Sequence, residues 1–160
     1  MFLLLPAPPS LNDYYVVQKR GNFYSKVVSK AGHTYQKTLK MYKDALGIKT
    51  CTGDLKITLD CFPYSKNSRD IDNYFKALLD SLQYAGIIEN DNLIRWELGR
   101  MQLPFREWPC VLLEIKPMEF KPQSLTGRVT EISEPIIGVS IAPKNVRDLL
   151  RQQKLWSHCD

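Results

Sequence analysis

Asp70, Asp72, Lys76 and Asp91 are the residues of this 160-residue chain whose types and spacing can do chemistry. Three carboxylates and one ammonium group offer hard oxygen ligands to a divalent cation and a positive charge to a phosphodiester, the requirements of metal-dependent phosphoryl chemistry. An oxygen-only donor set selects Mg²⁺, with Mn²⁺ as the alternative, over zinc. Each residue also has a plain structural explanation. An aspartate ahead of an apolar-periodic run is commonly a helix cap, and Asp72 with Lys76, or Lys76 with Asp80, reads as a surface ion pair worth under ~1 kcal/mol. Asp91 falls in GIIENDNLI, residues 86–94, where Asp and Asn are ordinary turn residues.

The elements around these residues decide whether they can meet. Ile71, Tyr74, Phe75, Leu78, Leu79, Leu82 and Ala85 recur at three- and four-residue spacing, which predicts an amphipathic helix over about 71–85. Asp70 is its natural N-cap and Gly86 its stop. Asp72, Asn73, Lys76, Asp80 and Gln83 are left on the polar face, with Asp72 and Lys76 one turn apart. The positive end of the helix dipole favours ionised carboxylates in the first turn. Upstream, GDLKITLDCFPY at 53–64 alternates as a half-buried strand, and a polar loop carrying Arg69 joins it to the helix. Arg69 is well placed there to meet a phosphate, although a solvent-exposed loop arginine is the commoner case. Further strands are expected in MFLLLPAPPS, LIRWELGRMQ and PCVLLEIKP, and a second amphipathic helix over about 31–46, with Lys37, Lys40 and Lys43 on its wet face. The order strand, long loop, helix, strand, helix, strand, strand predicts an α+β fold, a mixed sheet with packed helices.

In PPSLN at 8–12, RDIDNYFKALLDSL at 69–82, AGII at 85–88 and the acidic loop around Asp91, the chain resembles the RusA-like Holliday junction resolvases, or crossover junction endodeoxyribonucleases. The resemblance spans most of residues 1–117, and its middle motif is the specific one. It implies a RusA-like endonuclease domain over 1–117. It also implies that Asp70, Asp72 and Asp91 bind the metal, that Lys76 is the essential lysine and that Asn73 supports the active site. The implied activity is Mg²⁺-dependent resolution of four-way DNA junctions, in recombination and repair, by a homodimer. A junction's two-fold symmetry asks for two active sites in any case. Residues 118–160 have no counterpart in the short family members and form a C-terminal extension, ordered in part, with an apolar run at 136–142; such a tail can cover a sheet edge, extend a dimer contact or form a small partner-binding module.

Composition agrees: 44% apolar and 24% charged residues describe a globular chain rather than a disordered one. The net charge of +5 is unevenly placed, since residues 1–56 hold nine Lys or Arg against three acids. Lys19, Arg20, Lys26 and Lys30 are interleaved there with Tyr14, Tyr15, Phe23 and Tyr24, a composition suited to a flexible arm that grips DNA phosphates, or to a solvated loop. The four cysteines are dispersed with no C-x-x-C pair, and the apolar start lacks a basic region and is too short to span a membrane. Free thiols and a cytoplasmic location are expected. His33 has no histidine partner nearby and reads as a surface or capping residue. Two other classes fit parts of the pattern: a non-catalytic branched-DNA-binding module, and a Mg²⁺-dependent hydrolase of small phosphoesters.

Overall fold

In the computed structural model, which describes residues 1–65, 70–118, 136–137 and 144, the elements follow an α+β order. They are β1 (Phe2–Pro6), α1 (Leu11–Tyr14), β2 (Tyr15–Arg20), β3 (Phe23–Val28), α2 (Lys30–Leu46), β4 (Leu55–Phe62) and α3 (Ile71–Tyr84). A 3-10 turn at Asp91–Leu93 then leads into β5 (Ile94–Met101), β6 (Cys110–Pro117) and β7 (Ile136–Ile137). The expected mixed sheet with packed helices is the fold found.

The main sheet has the order β5-β4-β6-β1-β7. β4 pairs antiparallel with β6 and parallel with β5, and the parallel pair needs a crossover, which α3 supplies. Ile136 and Ile137 pair in parallel with Phe2 and Leu3, so the apolar run of the tail contributes a short strand at the edge beyond β1. The alternation of Leu55, Ile57, Leu59 and Cys61 marks the buried face of β4 as expected. Thr58, on the other face, is buried as well, because β4 is an interior strand rather than a half-exposed one.

One core joins the sheet to the helices. Leu3 and Leu5 from β1, Ile57 and Leu59 from β4, and Val111 and Leu113 from β6 belong to the same buried cluster as Tyr35, Leu39, Tyr74, Leu78 and Leu82 from α2 and α3. Burying each such side chain is worth about 1.5–3 kcal/mol, which fixes α3 on the sheet and thereby fixes its polar face. α2 begins where the Ser29 side chain accepts from Gly32 N, a standard cap, and its span matches the predicted helix to within one residue at its start. The three helices are tied together by Tyr14. Its fully buried hydroxyl accepts from Gln36 Nε2 at 2.7 Å and lies 3.0 Å from Ser81 Oγ, which itself donates to Ala77 O.

Residues 15–28, expected as an irregular arm, form a β-hairpin instead. β2 and β3 pair from Tyr15↔Val28 to Arg20↔Phe23 around a turn in which Gly21 has φ 60. Glycine takes that left-handed conformation at no steric cost, and the Gly-Asn pair is a hairpin turn sequence. Among the described residues Cys51, Cys61 and Cys110 are free thiols, and burial pushes the last two up to about 12, so both stay protonated. Cys159 lies outside the described residues. His33 stands exposed in the first turns of α2, its Nδ1 3.2 Å from Gln36 Oε1. No helix among the described residues is long and apolar enough to cross a membrane.

Candidate active site

The polar flank of α3 carries most of the candidate residues. Asp70 occupies the N-cap position as expected, yet its side chain accepts no hydrogen bond from the helix. The cap is positional, and the carboxylate is exposed. Asp72 is exposed in the first turn and Asn73 is half-buried beside it. One turn on, the Lys76 ammonium donates to Asp80 Oδ1 at 2.8 Å and to Asp91 Oδ2 at 3.5 Å. The Asp80 hydrogen bond is the main influence raising the Lys76 pKa, against an opposing effect of burial, so Lys76 is held as a cation.

Asp91 reaches this flank from the other side. Asn90 caps the 3-10 turn by accepting from Asn92 N at 2.9 Å, and Asp91 N donates to Gln83 Oε1 at 3.3 Å. The last turn of α3 therefore fixes the acidic loop opposite Lys76.

Another carboxylate, Glu97 on β5, joins them. Burial raises its pKa first, and the nearby Asp72 and Asp91 charges raise it further while Lys76 opposes them. Asp72, Lys76, Asp91 and Glu97 thus share one electrostatic neighbourhood. The alternation Ile94, Trp96, Leu98 would have turned Glu97 away from the helices. A register shift between Leu55 and Lys56 pairs Ile94 with Leu55 but Trp96 with Lys56, so Arg95 is the extra residue of a bulge. Beyond it Glu97 pairs with Ile57 and Gly99 with Leu59, on the face that meets α3. Gly99 makes the approach close: a Cβ there would stand 2.6 Å from Ile71 Cγ1 and 2.9 Å from Phe75 Cε2.

The described interactions bring together Asp72, Lys76, Asp91 and Glu97; Asp70, at the exposed N-cap, is not among them. Among the described residues no three His, Cys, Asp or Glu side chains stand close enough to grip an ion by themselves. The donor chemistry nevertheless fits a hard cation, because the cluster is carboxylate only. Mg²⁺ in particular keeps several waters and is commonly held by one or two carboxylates together with substrate phosphates.

The hairpin supplies the basic surface. Residues opposite each other on paired strands share a face, so Tyr15, Lys19, Tyr24 and Lys26 lie on one side and Arg20 and Phe23 on the other. Lys26 Nζ sits 4.4 Å above the Tyr15 ring, and Tyr24 and Phe23 are 72% and 80% exposed. Lys30, at the start of α2, is separate from this strip and lines a groove with Pro8, Pro9 and Tyr64. Arg69 lies outside the described residues. At the hairpin's root, the Tyr15 hydroxyl donates to Asp80 Oδ2. Burial and the Asp80 carboxylate push that hydroxyl well above the usual tyrosine range, so it remains a donor. Glu97 does not stand out in the sequence as a site residue, and Tyr15 stands out there only as one of the aromatics of the basic arm.

Carboxylates and a fixed cation beside a basic, aromatic hairpin make a site suited to hydrolysing nucleic-acid phosphodiesters, the chemistry of a nuclease. The chain belongs to the RusA endodeoxyribonuclease family, whose sequence pattern matches residues 6–115. It is 37% identical over 89 residues to the crossover junction endodeoxyribonuclease rusA of Enterobacteria phage HK97, covering 55% of this chain and 71% of that protein. It is 33% identical over 93 residues to the crossover junction endodeoxyribonuclease RusA of Escherichia coli O139:H28, covering 58% and 74%. It is 33% identical over 90 residues to the protein of the same name from Escherichia coli strain K12, covering 56% and 72%.

Proposed function

We propose that this nuclease resolves four-way (Holliday) DNA junctions by paired, Mg²⁺-dependent phosphodiester hydrolysis, as a homodimer acting on cytoplasmic DNA in recombination and repair. The observation that carries the proposal is Lys76, held as a cation between Asp80 and Asp91 on the flank that also carries Asp72.

Asp70, Asp72 and Asp91 are the proposed ligands of Mg²⁺, with Mn²⁺ as a substitute. When bound, the ion supplies Lewis-acid neutralisation of the scissile phosphate and acidifies a bound water. Lys76 then lies where its positive charge offsets the negative charge that builds on the phosphate oxygens and the leaving oxygen. Asn73, in the first turn, supports the neighbouring carboxylates. Lys19, Arg20 and Lys26 on the hairpin, with Lys30 and Arg69, meet the phosphate backbone, and Tyr24 offers a ring on which an unpaired base at the branch point stacks. Residues 1–117 form the nuclease domain, and 118–160 an extension whose Ile136 and Ile137 complete one sheet edge.

The test is a labelled mobile four-way junction incubated with the protein, with and without Mg²⁺. The wild type should nick two strands of like polarity only with the ion, and Asp72→Asn should bind the junction without cutting it. Cutting by Asp72→Asn refutes the assignment of the acids. Binding by the wild type without any cutting favours a branched-DNA-binding module. Sedimentation equilibrium should give twice the chain mass, and a fully active monomer contradicts the dimer.

A further inference from the structure

We propose that Asp80 is a positioning residue whose single carboxylate holds the Lys76 ammonium and the root of the DNA-facing hairpin at the same time. The proposal rests on the function above for the importance of Lys76, but its geometric basis is independent of that function.

A lysine and an aspartate four residues apart on a helix usually form a surface pair of little consequence. Asp80 differs in two respects. Its side chain is only 19% exposed, and its two oxygens serve different partners: Oδ1 accepts from Lys76 at 2.8 Å, and Oδ2 accepts from the hydroxyl of Tyr15, 65 positions away in the chain. Tyr15 in turn packs edge-on against Tyr14, with ring centroids 4.8 Å apart, and Tyr14 is locked in the core by Gln36 and Ser81. The carboxylate is therefore oriented from behind, by a part of the molecule that does not move with the Lys76 side chain.

The consequence for Lys76 follows from its flexibility. A four-carbon stem with a half-exposed ammonium samples many rotamers, and without Asp80 its nearest carboxylate is Asp91. Paired tightly with Asp91, the ammonium would neutralise a proposed metal ligand. Held at 2.8 Å by Asp80, it makes only the longer of its two contacts, 3.5 Å, to Asp91 Oδ2. The same carboxylate links the reactive cation to the hairpin face where Lys26 lies over Tyr15. DNA pressing on that face acts on the group that positions Lys76.

Asp80→Asn keeps an acceptor for Tyr15 but removes the charge that draws in Lys76, whereas Tyr15→Phe keeps the Lys76 pair and frees the hairpin root. Single-turnover cleavage at saturating protein, junction Kd without Mg²⁺, and the Lys76 ammonium signal in spectra of ¹⁵N-lysine-labelled protein separate the two roles. Asp80→Asn should lower the cleavage rate constant about 10–100-fold, the scale of a misplaced catalytic group, at unchanged Kd. Its Lys76 signal should move to the position of exposed lysines. Tyr15→Phe should keep the Lys76 signal and lose less activity. If Asp80→Asn does not fold, Asp80→Glu, which displaces the carboxylate by one methylene, must shift the same signal. An unmoved Lys76 signal in a folded Asp80 variant overturns the proposal, whether or not cleavage falls, because the loss would then be structural. A wild-type protein that never cuts refutes the proposed function instead, and the Lys76 signal still decides whether Asp80 restrains it.

Discussion

Replacing Gly99 by alanine tests the closeness of α3 and β5 that brings Glu97 toward Asp72. The added Cβ would lie 2.6 Å from Ile71 Cγ1 and 2.9 Å and 3.2 Å from two carbons of the Phe75 ring. Carbon atoms prefer separations of about 3.5–4.0 Å, so the first turn of α3 must move from β5 by roughly 1 Å. Neither obstacle is a loose side-chain tip: Ile71 and Phe75 both pack against the core. Overpacking of this kind costs about 1–3 kcal/mol. For a chain of this size the melting temperature should fall by about 3–10 °C. The catalytic consequence is larger, because the displaced turn carries Asp72 and a misplacement of about 1 Å in an active site costs on the order of 100-fold in rate. Calorimetry gives the first number, and single-turnover cleavage at 25 °C, where the variant remains folded, gives the second. Junction binding should not change, since the basic hairpin does not rest on Gly99. Wild-type melting together with wild-type cleavage would refute the reasoning at its root. A lowered melting temperature with unaltered cleavage would show that the α3–β5 spacing does not govern the reaction.

Glu97→Gln should stabilise the metal-free protein at neutral pH. Burial and the Asp72 and Asp91 charges raise the Glu97 pKa in the folded state, so the ionised form opposes folding above that pKa. The opposition fades as pH falls toward the ordinary glutamate value of about 4.3, so the advantage of the glutamine variant in thermal melts should close over the same interval. An advantage independent of pH contradicts the electrostatic account. Tyr14→Phe strands the buried Gln36 amide and should cost about 1–3 kcal/mol, read as a lower urea midpoint at unchanged m-value. A wild-type midpoint would mean that Gln36 finds another acceptor. Lys26→Ala should reduce the slope of log K against log salt by about 0.9, the release of one counterion, in anisotropy titrations with junction DNA. An unchanged slope removes Lys26 from the phosphate contacts.

The sequence makes α3 plain because its apolar positions form a single stripe, and the same stripe brings Asp72, Lys76 and Asp80 to one flank. Other parts of the site depend on relations that periodicity does not encode. In the hairpin, Val16, Val17, Phe23 and Tyr24 are exposed on both faces, so no alternation distinguishes a buried side. Only the Gly21-Asn22 turn announces it. Asp70 satisfies the rule for a capping residue by type and position, yet whether its carboxylate turns onto the helix is a rotamer choice that residue type leaves open.

Glu97 shows most clearly how the site is assembled. Ile94, Trp96 and Leu98 alternate as apolar residues of β5, and a strand of unbroken period two would turn them toward the helices and Glu97 away from α3. The bulge at Arg95 shifts the phase by one residue after Ile94 has already docked beside Leu55. Trp96 then passes to the other side of the sheet, where Lys56 Nζ lies 3.9 Å from its ring centroid, and Leu98 is left 40% exposed. The stability given up by not burying those two side chains against α3 buys a carboxylate and a glycine on the helix-facing side. A bulge is tolerated here because β5 is an edge strand with only β4 to satisfy. The same edge leaves the α3 flank open to solvent and so to a nucleic-acid strand. An interior strand could not combine a phase shift, a close glycine contact and an accessible cluster of acids, which is why the acidic groups gather around β5 rather than around β4 or β6.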